Sequence, residues 1–300
     1  MFNVDPHQDN LADSLDAALS ATEKKNQQRA GKSPHTYALI DGVFDQKWGA
    51  ALLWQQSQAV NVHCVRSLYT GSRLEALEEC APFLVIIEPE KRLSALQGLL
   101  SRTDHKPMLT FVQSPLDLFA LQRHLVRFSQ IETPDTLVFP LRFADSICLP
   151  EILDVFTLEQ RAAILSGVTA WHYVDRRGGV VTIAGTCNDA DLYVTPMYGE
   201  IDRIPFSDSQ YVQLFDSSEA DGILNALSAK HMPIFKQVKV SLLFQRVQTA
   251  LQEMDRRNIK EEKSRKELAY VCLHLPDSHA VKILLDIAQN QGLEAALESW

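Results

Sequence analysis

The sequence predicts an α/β fold: a mixed, mostly parallel sheet flanked by helices, followed by a smaller all-helical C-terminal lobe. Three observations lead there. The run Phe83-Leu84-Val85-Ile86-Ile87 is apolar without alternation, which marks a strand covered on both faces and is typical of parallel sheets. Short apolar runs at Tyr37–Ile40 and Pro107–Gln113 are each followed by a stretch with helical spacing. From about Pro196 the apolar residues keep helical periodicity alone. The expected organisation is a polar N-terminal extension over 1–33, an α/β domain over 34–195 and a helical lobe over 196–300.

In chain order, Leu11, Leu15, Ala18 and Leu19 sit at helical spacing, and either a docked amphipathic helix or a frayed extension fits them. Lys24 to Lys32 reads as a mobile linker. The strand Tyr37–Ile40 ends at Asp41-Gly42. Two readings stand for that pair: a ligand position at a strand's carboxyl end, or simple turn chemistry. Gln46–Gln56 predicts a helix with Trp48, Leu52 and Trp54 at inner or flanking positions, and Val60–Leu68 a returning strand that carries His63-Cys64. Tyr69-Thr70-Gly71 closes that strand, Gly71 supplying a permissive backbone. Ser72 with Glu75 has the spacing of a capping box for a short helix, which Pro82 ends by forcing Ala81 to be extended.

Lys91–Leu100 predicts a helix with Leu93, Leu96, Leu99 and Leu100 inward. Ser114-Pro115-Leu116-Asp117 reads as the start of the next, which runs to Phe128 with Leu118, Leu121 and Leu125 inward and Arg123, His124 and Arg127 mostly outward. Val138–Phe143 is a further extended segment, ending in Arg142-Phe143-Ala144-Asp145, where Arg and Asp three apart suit an ion pair. Thr157 to Gln160 repeats the capping-box pattern, with Gly167 as the expected helix stop. Val168–Val174 and Val180–Ala184, joined around Arg177-Gly178-Gly179, predict a β-hairpin. Helices are expected over Ser218–Lys230 and Val238–Arg257, then a mixed-charge solvated run Arg256–Glu267, a helix carrying Leu268, Val271, Cys272 and Leu275, and a last one capped by Asp277-Ser278.

The net charge of −9 and pI near 5.5 argue against a nucleic-acid partner and against a polybasic membrane anchor. Five scattered cysteines (Cys64, Cys80, Cys148, Cys187, Cys272) without a CxxC pair argue against a disulfide framework or structural zinc. Asp5, Asp9, Asp13 and Asp16 interrupt the start where a signal peptide would be apolar, and no run is long enough to span a membrane, so a cytoplasmic protein is expected. The chain carries no dinucleotide or phosphate loop, no HExxH and no GxSxG elbow, and its nine histidines are dispersed. No catalytic residue, cofactor or metal is expected.

Four stretches, taken together, resemble one family. They are Tyr37-Ala38-Leu39-Ile40-Asp41-Gly42; Ser67-Leu68-Tyr69-Thr70-Gly71 with Ala81-Pro82-Phe83-Leu84-Val85; Ser114-Pro115 leading to Arg123-His124-Leu125; and Leu141-Arg142-Phe143-Ala144-Asp145. Their order and spacing over Tyr37–Trp171 resemble the domain of unknown function 4123 of adaptor chaperones in bacterial type VI secretion. The resemblance implies a non-enzymatic adaptor that binds a cognate secreted effector and helps load it onto the VgrG spike or its PAAR tip. It singles out Asp41, Gly42, Leu68, Tyr69, Gly71, Pro82, Arg142, Phe143 and Asp145 as structural or partner-binding positions. Where that family carries an aromatic, Asp, Pro and Arg after the Arg-Phe pair, this chain has Ala144, Asp145, Ser146 and Ile147, which leaves Arg142 to partner Asp145. Gly167-Val168 stands where the family often has Gly-Pro. Two other readings remain: an immunity protein that sets its acidic surface against a toxin's basic active site, and an α/β enzyme built on Asp41, Arg142 and Asp145.

Overall fold

The computed structural model describes residues 4–31, 33–58, 64–186, 203–228, 232–275 and 277–300. It divides into two compact units, Pro6–Leu214 and Phe215–Trp300 with Met1–Asp5. The strands are β1 (His35–Asp41), β2 (Val65–Ser67), β3 (Pro82–Ile87), β4 (Leu109–Ser114), β5 (Gln130–Glu132), β6 (Val138–Pro140), β7 (Ala170–Val174), β8 (Val180–Ala184) and β9 (Ile204–Pro205). Helices of the first unit are α1 (Leu11–Ala30), α2 (Gln46–Ser57), α3 (Arg92–Thr103), α4 (Leu118–Val126), α5 (Cys148–Val155) and α6 (Leu158–Leu165). Helix α7 (Asp208–Ser217) spans the division. The second unit holds α8 (Glu219–Ser228), α9 (Met232–Gln237), α10 (Val240–Arg256), α11 (Glu262–His274), α12 (Ser278–Gln291) and α13 (Leu293–Glu298).

The sheet corrects the expected topology. Its order is β2-β3-β1-β4-β7-β8, and every neighbouring pair is antiparallel. The mostly parallel sheet predicted from Phe83–Ile87 is therefore overturned. An unbroken apolar run reports that both faces are covered, not which way the neighbour runs. Strands β1 and β4 are buried nearly throughout, as that run implied for β3. Strands β3 and β4 share a direction, but β1 lies between them running the opposite way. Among the described residues the one parallel pair is β5 with β9, in the small sheet β6-β5-β9.

Local chemistry explains the elements. Leu11, Leu15 and Leu19 form a buried stripe on α1, which packs on α3, β7 and β8, and the expected linker from Lys24 is helical through Ala30. Arg92 of α3 reinforces that contact by donating to Asp16, Glu23 and Ser20 of α1. Helix α2 starts where Asp45 accepts from the Trp48 N–H, and it buries Trp48 and Leu52 while Trp54 is 65% exposed. The Ser72–Glu75 capping box does not form. The Ser72 hydroxyl donates to the Tyr69 carbonyl and accepts from Leu74, and the chain then takes the 3₁₀ segment Glu75–Cys80. The few residues before Pro82 suit tight turns better than a costly α-helical nucleus.

Helix α4 is capped by Asp117, which accepts from Ala120, and not by Ser114, which ends β4 and donates to the Gly167 carbonyl. Thr157 and Gln160 do form a capping box on α6. Gly167 follows that helix without a left-handed backbone. It is small because a Cβ there would stand 2.6 Å from the His124 ring, whose Nε2 lies 2.9 Å from the Ile164 carbonyl. The β7–β8 hairpin forms as expected, with Gly178 at φ +72.

In the second unit, Leu243, Val247, Leu251 and Met254 of α10 pack with Leu268, Cys272, Leu284 and Leu285 into a separate apolar core. The mixed-charge run was expected to be solvated, but Arg265 is buried, with its guanidinium on Glu219 and Asp255. Asp277 caps α12, accepting from His279 and Ala280. No helix among the described residues is long and apolar enough to cross a membrane. The readings placed on Val60–His63, Cys187 and Pro196 lie outside the described residues.

Candidate functional site

The site grows from the end of β1. Asp41 is the last residue of that strand, and its Oδ1 accepts from the Val43 N–H, which starts the tight turn Gly42–Phe44. Gly42 follows because the chain passes close by: its N–H donates to the Ala81 carbonyl, and a Cβ would meet that oxygen at 2.7 Å. Pro82 is the register partner of Asp41 on β3. Arg142 arrives from the segment after β6, 101 residues beyond Asp41. Asp145, three residues on, accepts from the N–H groups of Ile147 and Cys148 at the start of α5.

These residues make one ion-pair cluster. Arg142 Nη2 donates to Asp41 Oδ2 at 3.0 Å and stands 3.3 Å from Asp145 Oδ2. The guanidinium also lies over the Phe44 ring, 4.8 Å from its centroid, where the electron-rich face favours a cation. Both carboxylates are buried, with side chains 3% and 5% exposed, while Arg142 remains 39% exposed. Burial pushes the Asp41 carboxyl upward against the pull of Arg142. Burial likewise raises Asp145 to about 6, with Arg142 opposing. Burial works against the Arg142 charge, and the two carboxylates outweigh it, so its pKa moves up. Tyr69, close to Asp41, is raised to about 12, chiefly by burial.

The nine singled-out positions divide by place. Asp41, Gly42, Pro82, Arg142 and Asp145 meet at this cluster, with Tyr69 beside it. Leu68 is fully buried, donates its N–H to the Pro82 carbonyl and receives the Gln122 side chain on its own carbonyl. Gly71, at φ +71, has open space where its Cβ would be, so it serves the turn. Phe143 points into the core, edge-on to Trp171 at 6.0 Å. Sequence reasoning missed Phe44, whose only signal is an aromatic three residues after the Asp. It also missed the fully buried His172, held by Thr182 and Gln113 and lowered by burial to about 4.

Chemically the cluster is a charge clamp. One guanidinium bridges two acids, one of them from a distant part of the chain, and remains partly exposed itself. Among the described residues no group of three or more His, Cys, Asp or Glu is arranged to hold a metal ion. The second unit carries a groove of about 1210 Å³. Leu227, Tyr270, Val271 and Trp300 contribute apolar surface, and Glu262 and Lys266, paired with each other, stand at its rim.

Residues 36–163 match the model of a domain of unknown function (DUF4123). The match takes in β1 through most of α6, and with them the whole Asp41–Arg142–Asp145 cluster. No curated protein and no solved structure matches the chain.

Proposed function

We propose that this DUF4123-containing protein is a cytosolic adaptor that binds a type VI secretion effector and assists its loading onto the VgrG or PAAR spike. The observation that carries the reading is the domain match over 36–163, which contains the adaptor-like stretches from β1 to the segment after β6 in their expected order. The physical character of the chain agrees with it. The charged groups of the domain's cluster pair with one another, as in a fold-defining clamp, although Arg142 Nε is buried without a partner, and the groove of the second unit is lined by both apolar and charged side chains. Such a groove suits an apolar helix face from a client.

Co-expression with the product of a neighbouring toxin gene tests the proposal. A stable complex that includes the spike protein is expected, and Leu227→Glu, at the half-buried groove wall, should weaken it. Absence of any complex would refute the adaptor role. Neutralisation of the toxin without spike association would favour the immunity reading. Alanine at Asp41, Arg142 or Asp145 should lower the melting temperature. Loss of a catalytic activity at unchanged stability would favour the enzyme instead.

A further inference from the structure

We infer that the outer edge of strand β8 is a docking rail for an extended segment of a partner polypeptide, which joins the six-stranded sheet as a seventh strand. This deepens the adaptor reading and rests on it only for the partner's source. Strand β8 ends the sheet order, paired with β7 on one side. The Asp175 N–H donates to the Gly179 carbonyl at 2.9 Å, and the Gly185 N–H to the Thr169 carbonyl at 3.0 Å. Antiparallel pairs alternate between bonded and non-bonded, so between those two fixed points Val181 and Ile183 turn their main-chain groups toward β7. Val180, Thr182 and Ala184 therefore aim theirs outward. Among the described residues nothing pairs with these outward groups.

The side chains agree. Val180-Val181-Thr182-Ile183-Ala184 contains no charge and no proline, the usual devices that blunt an edge. Val181 and Ile183 pack on the core and anchor the strand, while Thr182 and Ala184 are exposed. Thr182 is also held by His172 Nδ1 at 2.9 Å. A rail of five residues spans roughly 17 Å, at about 3.4 Å per residue. One added strand of that length covers a few hundred Å², well short of the roughly 1,200 Å² that a stable pair of folded chains needs. The edge thus fits an extended, uncharged peptide read mainly through its backbone, and not a second copy of the chain.

Amide exchange on the full chain, followed residue by residue, provides the test. The probe is a ten-residue peptide of alternating Thr and Val with a lysine at each end, and the control has a central proline. In the free chain the Thr182 and Ala184 amides should exchange fast and those of Val181 and Ile183 slowly. The alternating peptide should slow the first pair by roughly tenfold or more, and the control should not. Ala184→Pro removes an outward N–H without a ladder bond and should abolish the protection, and Ala184→Lys should do the same if the proline variant is unstable. Protection of Thr182 and Ala184 in the free chain would overturn the inference, because the edge would already be filled. So would peptide protection that survives both variants, or dimerisation through this edge. An effector complex that forms equally well with Ala184→Lys overturns this inference alone, whereas peptide binding without any effector complex leaves it standing and removes the adaptor reading.

Discussion

Arg142 answers to two acids at once, and that makes it the residue whose loss the fold should feel most. Removing the guanidinium strands Asp41 and Asp145 in a buried setting. Arg142→Ala should therefore cost about 3–5 kcal/mol in urea unfolding, the range for an orphaned buried charge. The triple replacement of Arg142 by Met with Asp41 and Asp145 by Asn should recover much of that loss, since no ionised group is then left alone. The cluster also sets a pH signature. Asp145 titrates near 6 when folded against 3.8 ordinarily, so its contribution to stability is full below 3.8 and is lost as the pH rises through about 6. His172 runs the other way: its contribution is full above 6.5 and is lost as the pH falls through about 4. Melting curves of wild type and Asp145→Asn between pH 4 and pH 7 separate the two. The wild type should gain relative to the variant as the pH falls, and a constant difference would show that the ionised Asp145 is not disfavoured. Gly49 is a plainer case: a Cβ there would stand 2.1 Å from the Glu79 carbonyl, so Gly49→Ala should cost about 1–3 kcal/mol by forcing backbone apart.

At the level of elements, caps and stripes decide. The reciprocal Thr157–Gln160 box predicts that Thr157→Ala costs about 1 kcal/mol, measured by denaturant unfolding. Leu15 is fully buried on α1, so Leu15→Ala should cost about 2–5 kcal/mol if the helix is integral to its unit, and almost nothing if it merely decorates it. Much of this layer was legible in the sequence. Helical spacing located α2, α3, α4 and α10, Gly-Gly located the β7–β8 turn, and Thr157 located the start of α6. What was not legible depends on partners remote in sequence. Strand direction at Phe83–Ile87 is decided by where β1 lies, and the apolar pattern is blind to it. Ser72 and Ser114 have the right letters for caps, but carbonyls at Tyr69 and Gly167 take their hydroxyls first. Gly167 looked like a helix stop and answers instead to the His124 ring. Within the site, the Arg142–Asp145 pair was legible as Arg and Asp three apart and forms at 3.3 Å, whereas Asp41 joins them across 101 residues, a contact that spacing does not encode. Phe44 and the buried Arg265 were hidden for the same reason.

Taken whole, the described residues form two apolar cores that do not share residues, one in each unit. Leu284, fully buried in the second, should when cut to Ala lower one calorimetric transition by about 2–5 kcal/mol and leave the other in place. A single transition that shifts entirely would show that the two cores melt together. The acidic balance of the chain, −9 overall, also predicts that any basic client associates more slowly as salt increases.

The central place of β1 has a consequence for synthesis. Its neighbours on either side, β3 and β4, lie later in the chain, the second not complete until Ser114. At roughly 5–20 residues per second, the ribosome leaves this apolar ribbon short of at least one neighbour for on the order of 4–15 s after Asp41 has been joined. During that interval the nascent polypeptide lacks at least one native neighbour for β1, so apolar surface that the finished sheet buries stays open to solvent until β4 has been made.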